Sequence, residues 1–546
     1  MKFRPADLLF IGGPVLTMDP ARPRVSGLAV RDGRVLALGE VRELAGPRTE
    51  IVDLRGRPLL PGFQDAHIHA VLGGVQLGQC DLSGTTDPRE YERLLRSHAD
   101  ANPGAEWIVG GGWSMESFAG GLPARDRLDA VVPDRPVFLT NRDQHGAWVN
   151  TRALELAGIT AGTPDPPDGR IERDADGVPS GMLQEGAMAL VAVHLPEVTA
   201  AERLAGLLRA QRLLHGLGVT AWQDALLDGS DGYPDVSDAY LTAALDGTLT
   251  ARVAGALWWA RGRGAEQIDR LRERRERLTA GRLRCRTVKF MQDGVAENFT
   301  AAMTAPYLDA CGHATANSGI SFVDPEALKE YVTALDALGF QTHFHALGDR
   351  AVREALDAVQ AARGANGPLD TRPHLAHLQV VHPADVPRFR ALGATANIQP
   401  LWAAHEPQMD ELTIPFLGPE RAAWQYPFGD LHRAGARLAA GSDWPVSSPD
   451  PLQGVHVAVN RVLPDAAEKP FLPGQALDLA TALHAYTAGA AYVNHLDDTG
   501  TLRTGHRADL VVLDRDPFDG PAHAIAETRV ALTYVEGHRV HAAPDA

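Results

Sequence analysis

The chain has 546 residues, of which 45% are hydrophobic and 22% are charged, so it can bury a large core. Its formal net charge of −17 argues against nucleic acid and anionic membranes as partners, because both carry negative charge. Cys80, Cys285 and Cys311 are too widely spaced to suggest a disulfide framework or a thiolate zinc site. We expect a soluble, cytoplasmic protein, because no signal-peptide pattern and no long uncharged apolar stretch is evident.

The two ends of the chain share a pattern of short strands. Residues 28–38 place two apolar runs around Asp32 and Gly33, which is a strong β-hairpin signal. Residues 509–514 and 530–540 are again typical of strands that flank turns. We therefore predict one small composite β-sandwich domain, built from residues 1–61 and 495–546.

Residues 62–494 alternate between strand-like and helix-like segments, which is typical of an α/β protein with a parallel sheet. The eight predicted strands cover residues 63–70, 219–225, 251–258, 287–292, 341–346, 374–380, 394–399 and 437–442. Eight such strands fit a (β/α)8 TIM barrel. Residues 71–218 separate the first strand from the second, and we predict that they form a large insertion.

His67 and His69 are the first candidate metal ligands. Residues i and i+2 of a strand point to the same side, so both imidazoles would face one point near the end of the first barrel strand. Neutral imidazole is a good zinc ligand. An isolated His-X-His pair is more often structural, so the functional interpretation depends on polar residues at the ends of other strands.

Lys289 lies between Val288 and Phe290 in the fourth predicted strand, and a buried ammonium group needs a partner. The residues alone favour an ion pair, with Asp293 as the candidate partner. The alternative is a carbamate formed with CO₂, whose carboxylate could bridge two metal ions. Burial next to cations would lower the pKa of the lysine and expose the neutral amine that this reaction requires.

Three later strands also end in polar residues. His343 and His345 share one face of the fifth strand. His374 and His377 are three residues apart, so in a straight strand only one of them would face the barrel interior. Asp443 follows the eighth strand at the catalytic end of the barrel, where a carboxylate is a candidate general base and a turn cap is the structural alternative.

These residues lie in longer motifs that resemble the amidohydrolase superfamily, in particular amidohydrolase family 3 and the metal-dependent hydrolases similar to N-substituted formamide deformylases. The motifs are NRDQHGAWVN at 141–150, LLPGFQDAHIHA at 59–70, VKFMQDG at 288–294, HALGDRAV at 345–352, HLQVVHP at 377–383, GSDWPV at 441–446 and GTLRTGHRADLVVLD at 500–514. The resemblance covers nearly the whole chain.

The resemblance implies two Zn²⁺ ions per chain, with other divalent metals as alternatives. It implies six metal ligands: His67, His69, Lys289, His345, His377 and Asp443. Lys289 would be the carboxylated bridge, which reverses the preference for a simple ion pair. Motif position favours His345 over His343 and His377 over His374. The resemblance also implies that Trp113, His145 and Asp293 bind substrate.

Three departures from the family pattern lie near the expected pocket. Ala376 occupies a position where the family often has Glu, and His374 occupies one where Arg is common. The segment VAENFTA at residues 295–301 differs from the small-residue loop of typical members. The identity of the substrate is therefore not carried over.

We predict hydrolysis of a C–N bond other than a peptide bond, in an amide, formamide or carbamate-like substrate. A metal-activated hydroxide would attack the carbonyl carbon, and Asp443 would shuttle the proton to the leaving nitrogen. Two alternatives remain open: a deaminase with one metal ion, and a regulatory barrel without catalysis. The expected partner is a small-molecule substrate, neither nucleic acid nor membrane is expected, and a homodimer is compatible with the sequence.

Overall fold

At the centre of the computed structural model, which describes residues 4–229, 234–464 and 466–544, eight strands form a barrel sheet. Each pairs in parallel with its neighbours in chain order. The strands are β1 (Phe63–Ile68), β2 (Val219–Asp224), β3 (Arg252–Trp258), β4 (Leu283–Met291), β5 (Gln341–Ala346), β6 (His374–His377), β7 (Thr395–Ile398) and β8 (Arg437–Ala440). The predicted TIM barrel is confirmed.

Helices lie between the barrel strands and after the last of them. They are Ala70–Gln76, Ala200–Gly216, Ser237–Asp246, Ile268–Arg277, Pro325–Ala337, Asp349–Asn366, Val386–Leu392, Ile414–Ala422, Phe428–Arg433, Pro451–Asn460, Leu479–His484 and Ala490–Val493. Local sequence sets where several begin: Thr199 and Glu202 form a capping box, and the Asp324 side chain accepts from the first backbone amides after it. One hydrophobic cluster contains helix and strand residues together, including Leu207, Val352 and Phe290.

The barrel closes where β1 meets β8. The backbone N–H of Asp443 donates to the carbonyl of His67 at 2.8 Å. The backbone N–H of Ser442 donates to the buried carboxylate of Asp65 at 3.1 Å. Gly441 allows this approach, because a Cβ there would lie 2.6 Å from the backbone nitrogen of His67. The ends of the first and eighth strands are therefore held at hydrogen-bonding distance.

The insertion between β1 and β2 has its own six-stranded sheet. Its strands are Cys80–Asp81, Ile108–Trp113, Val137–Asn141, Gly146–Val149, Gly169–Arg173 and Pro179–Glu185. Its helices are Pro88–Ala101, Arg125–Asp129, Thr151–Leu156 and Ala189–Ala192. Two hydrophobic clusters, one around Trp113 and Trp148 and one around Phe138 and Leu183, form its core.

Strands from both ends of the chain form two further sheets. A four-stranded sheet contains Leu8–Ile11, Leu28–Arg31, Arg34–Leu38 and Glu50–Asp53, and a six-stranded sheet contains Val15–Leu16, Arg24–Val25, Leu59–Pro61, Leu510–Leu513, Val530–Val535 and His538–Ala542. A shared cluster that includes Phe10, Leu28 and Tyr534 joins them. The boundaries 1–61 and 495–546 stay a prediction, and residues 1–3 and 545–546 lie outside the described residues.

No helix within the described ranges combines the length and the apolar character that crossing a bilayer requires.

Candidate metal centre

Three predicted ligands converge where the barrel closes. Asp443 Oδ1 lies 3.1 Å from His67 Nε2 and 3.2 Å from His69 Nε2. One ligand atom from each residue lies within 4.8 Å of the others. His67 is the last but one residue of β1, and His69 follows it by two residues, so the alternation of a strand aims both rings at the same carboxylate.

The other three predicted ligands surround this group. Lys289 Nζ lies 3.4 Å from His67 Nε2, and His377 Nδ1 lies 3.9 Å from Asp443 Oδ2. The rings of His345 and His377 are 4.4 Å apart at their centroids. Imidazole and carboxylate together suit zinc and related divalent ions. The structure thus brings all six predicted ligands together, and their roles stay a prediction.

Burial sets the charge state of two of these groups. Removal from water, with Lys289 nearby, lowers the pKa of His67 to about 3, so its ring is neutral at physiological pH. Burial also lowers the pKa of Lys289 from its ordinary value to about 7. The free amine, which is the form that reacts with CO₂, is therefore well populated near neutral pH.

His374 and His377 do not follow the straight-strand expectation. Both rings lie inside the barrel: His374 stacks on His343 at 3.9 Å between centroids, and His377 contacts His345. The backbone explains the difference, because His377 has a φ of +79° and Leu378 a φ of +53° at the end of β6. Such left-handed conformations are costly for residues with side chains and are concentrated at functional sites.

The lone pairs of His374 and His343 are engaged elsewhere, although Nε2 of His374, which carries the hydrogen, has no hydrogen-bond partner. Asn397 Nδ2 contacts the backbone carbonyl of Ala66, which can only accept, so this atom is the NH₂ group of the amide. The same NH₂ group therefore donates to His374 Nδ1 at 3.1 Å. The lone pair of His374 is thereby occupied. His343 hydrogen-bonds Gln223 through Nδ1 and His67 through Nε2. Neither ring has a free lone pair, which favours His377 and His345 as ligands.

The predicted ligands fit a bound cation. Within the described chain, both ring nitrogens of His377 and Nδ1 of His69 are buried without a hydrogen-bond partner. The short contacts of Asp443 Oδ1 also lack hydrogen-bond geometry. Buried polar atoms without partners are costly. A metal ion bound by these three side chains would take up one lone pair from each ring and satisfy Asp443 Oδ1.

Two predicted substrate-binding residues do not line the cavity above the ligands, although Asp293 Oδ1 lies 4.0 Å from His345 Nε2. Trp113 is fully buried in the insertion core, where its indole N–H donates to the carbonyl of Leu139 at 2.8 Å. Asp293 is also fully buried, and its carboxylate accepts backbone N–H groups, including those of Leu347 and Gly348. Trp113 and Asp293 therefore support the fold around the site rather than line the cavity. Asp293 is also not the ion-pair partner of Lys289, because Lys289 Nζ lies next to the rings of His67 and His343.

His145, the third predicted substrate residue, does line the cavity. Its Nδ1 lies 2.9 Å from Glu185 Oε2, and the hydroxyl of Thr300 donates to the other oxygen of Glu185 at 2.7 Å. Burial opposes a charge on His145, but the Glu185 carboxylate raises its pKa to about 9. Glu185 belongs to no motif in the sequence, so only its contact with His145 reveals it.

A cavity of about 330 Å³ opens above the six predicted ligands. Its walls come from the insertion, from the ends of the barrel strands and from the segments after them. Apolar residues such as Leu72, Trp258 and Trp402 alternate there with charged ones such as Arg142 and Glu406. Apolar surface combined with convergent polar groups is typical of small-molecule sites. Its position at the carboxyl ends of the strands is where TIM-barrel enzymes carry out catalysis.

A barrel of this kind, with clustered histidines and a carboxylate at its catalytic end, defines a metal-dependent hydrolase. The chain belongs to the amidohydrolase family, whose sequence model matches residues 50–541.

Similar proteins in the family include a plant protein, a bacterial deformylase and an archaeal hydrolase of known structure. Protein LONG AFTER FAR-RED 3 of Arabidopsis thaliana is 32% identical over 98% of this chain and 92% of its own length. N-substituted formamide deformylase of Arthrobacter pascens is 28% identical over 97% of each chain. An uncharacterized metal-dependent hydrolase from Pyrococcus furiosus is 28% identical, with a TM-score of 0.70 over 93% of this chain and 99% of its own. The predicted resemblance is confirmed.

The positions of the two β6 histidines lead to a direct test of ligand identity. We expect His377→Asn to lower the amount of divalent metal bound per chain, because it removes a ring with unpaired nitrogens. His374→Asn is the matched control and should keep the metal, since that lone pair is already occupied. Metal content is measured by elemental analysis after reconstitution, with thermal melting to check the fold. Equal loss of metal in both variants would contradict the assignment.

Proposed function

We propose that this protein hydrolyses a C–N bond other than a peptide bond, in an amide, formamide or carbamate-like small molecule. The observation that carries the proposal is the placement of Asp443 Oδ1 at 3.1 and 3.2 Å from two histidine nitrogens below the cavity. A carboxylate held among imidazoles can combine metal binding with proton transfer in one group.

The residues that would hold the metal are His67, His69, Lys289, His345, His377 and Asp443. We propose two Zn²⁺ ions, and a carbamate formed by Lys289 with CO₂ would supply a further negative charge to hold them. Bound there, the metal would polarise the scissile carbonyl and lower the pKa of water.

Asp443 would move the proton. As water adds to the carbonyl carbon, one carboxylate oxygen takes a proton from it, and the same proton then passes to the nitrogen as the C–N bond breaks. The products are a carboxylic acid and an amine, so atoms and charge balance. The left-handed backbone of Asp443, with a φ of +56°, aims the carboxylate into the cavity and agrees with this role.

His145 would hold the substrate oxygen. Glu185 occupies Nδ1, so Nε2 is the ring atom that remains for a ligand in the cavity. An N–H group at this position would stabilise the negative charge that develops on the carbonyl oxygen. The similarity to an N-substituted formamide deformylase over 97% of each chain supports a formamide or related amide as the substrate.

The central experiment is a hydrolysis screen of N-formyl and N-acyl amines with metal-reconstituted protein. We expect release of both an amine and a carboxylic acid, together with two metal ions per chain. Asp443→Asn should abolish turnover with little change in the fold, because the amide has the same shape but cannot take the proton. Release of ammonia with one metal ion per chain would favour a deaminase instead. No turnover across the screen, together with no effect of Asp443→Asn, would favour a binding protein.

The bridging role of Lys289 has a separate test. We expect Lys289→Ala to lower metal occupancy, because it removes the group that forms the bridge. Short carboxylic acids such as acetate or propionate should restore occupancy by supplying a carboxylate in the vacated space. Lys329→Ala is the control, since Lys329 pairs with Glu326 on the surface. Full metal occupancy in Lys289→Ala without added acid would contradict the bridge.

The role of His145 can be tested through its partner. We expect His145→Phe to reduce kcat by about 10²- to 10³-fold, the usual effect of removing one oxyanion donor. Glu185→Gln should reduce kcat less, because the amide oxygen still accepts from Nδ1 but carries no charge. Bound metal should not change in either variant. Glu172→Gln, which breaks an ion pair with Arg170 in the same insertion sheet, is the control. Unchanged kcat in His145→Phe would refute the assignment.

A further inference from the structure

A chain of buried hydrogen bonds crosses the barrel interior and ends at His67. We call it the amide relay, and its members are Gln341, Gln223, His343 and His67. Gln223 Nε2 donates to Gln341 Oε1 at 3.2 Å, and His343 Nδ1 lies 2.8 Å from Gln223 Oε1. His343 Nε2 then lies 3.0 Å from His67 Nδ1. Each of the four side chains is at most 1% exposed, so water does not compete for these bonds.

Backbone groups at one end set the direction of the relay. Gln341 Nε2 contacts the carbonyl oxygens of Arg372 at 2.8 Å and Val493 at 2.9 Å. A carbonyl oxygen can only accept, so both hydrogens of this amide are donated and Gln341 Oε1 is an acceptor. Gln341 Oε1 takes hydrogen bonds from Thr287 and from Gln223 Nε2. The contact with Gln341 Oε1 therefore identifies Nε2 of Gln223 as the donor, and this assignment uses neither histidine.

The same logic fixes the tautomers of two histidines. Gln223 Oε1 accepts, so His343 Nδ1 carries a hydrogen, and a neutral His343 offers only a lone pair at Nε2. A second proton would put a charge on a ring that is fully buried. His67 must then donate from Nδ1, and its lone pair lies at Nε2.

We propose that Gln341 and Gln223 are positioning residues, which act through His343 to hold His67 in the tautomer that binds metal through Nε2. This inference rests on the metal centre of the proposed function. Without the relay, His67 could place its hydrogen on Nε2, the ring atom that lies 3.1 Å from Asp443 Oδ1. That nitrogen would then offer no lone pair to a metal ion. Hydrogen-bond partners of metal-binding histidines commonly contribute to affinity in this way.

The test compares two identical substitutions at buried glutamines. Gln223→Met removes the acceptor that orients His343, and we expect it to weaken Zn²⁺ binding by about 10- to 100-fold. Gln64→Met is the matched control: Gln64 is 1% exposed and donates to Thr499, outside the relay. Gln223→Glu keeps an acceptor for His343 Nδ1 and should bind Zn²⁺ more tightly than Gln223→Met. Competition with a chromophoric chelator measures the dissociation constants.

A second measurement reads the tautomer directly in the metal-free protein. Ring ¹⁵N spectra of histidine-labelled protein, with His67 assigned from a His67→Asn variant, should show the hydrogen on Nδ1 in the wild type. In Gln223→Met we expect a mixture of the two tautomers. This readout needs neither metal nor substrate, so it separates failure of the relay from failure of the proposed hydrolase.

Three outcomes would overturn the proposal. They are wild-type Zn²⁺ affinity in Gln223→Met, equal weakening in Gln64→Met, and a wild-type His67 with its hydrogen on Nε2.

Discussion

The contact between the first and last barrel strands is the constraint on which the site depends. A backbone hydrogen bond joins Asp443 to the carbonyl of His67, and the Asp65 carboxylate accepts from Ser442. His67 and Asp443 are predicted ligands, and Asp65 and Ser442 lie close to them in the chain. Closing the barrel therefore also brings the His67 and Asp443 side chains to within 3.1 Å of each other. The same geometry requires Gly441, since a side chain there would overlap β1. Fold stability and site assembly are therefore one requirement at this position.

Polar side chains occupy the barrel interior beneath the site, and the donor and the acceptor of each hydrogen bond between them can be assigned. Buried amides cost free energy unless they are satisfied, so each is expected to have partners. Gln341 and Gln223 are satisfied by donating toward backbone carbonyls and accepting from the direction of the site. The lone pair of His67 consequently lies at the upper end of this series, on the nitrogen next to Asp443 Oδ1. A bound cation is the simplest way to offset this concentration of acceptors.

The insertion contributes side chains to the site from outside the barrel. It brings His145 over the metal centre and holds it with Glu185, which has a φ of +50°. Thr300, from the loop after β4, donates to Glu185, so the barrel and the insertion meet at this pair. Trp113 and Trp148 instead pack inside the insertion, in one hydrophobic cluster.

Much of this protein could be predicted from sequence because the relevant signals are local. Alternation of strand and helix patterns predicts the barrel, and the two-residue period of a strand predicts that His67 and His69 point the same way. Motif resemblance separates His345 from His343, but residue spacing does not. Spacing was also misleading for His374 and His377, because a left-handed residue at the end of β6 turns both rings inward. Trp113 and Asp293 lie in recognisable motifs, yet a motif does not say which side chains reach a cavity.

The sequence by itself determined the barrel, the family and the six candidate ligands, since these follow from periodic patterns and short motifs. Only the tertiary structure decided which nitrogens carry hydrogen and which residues support the ligands. Gln223 and Gln341 are separated by 118 residues, and Glu185 is 40 residues from His145. Hydrogen-bond direction is set by backbone groups that come together only when the barrel closes, and no local pattern encodes it.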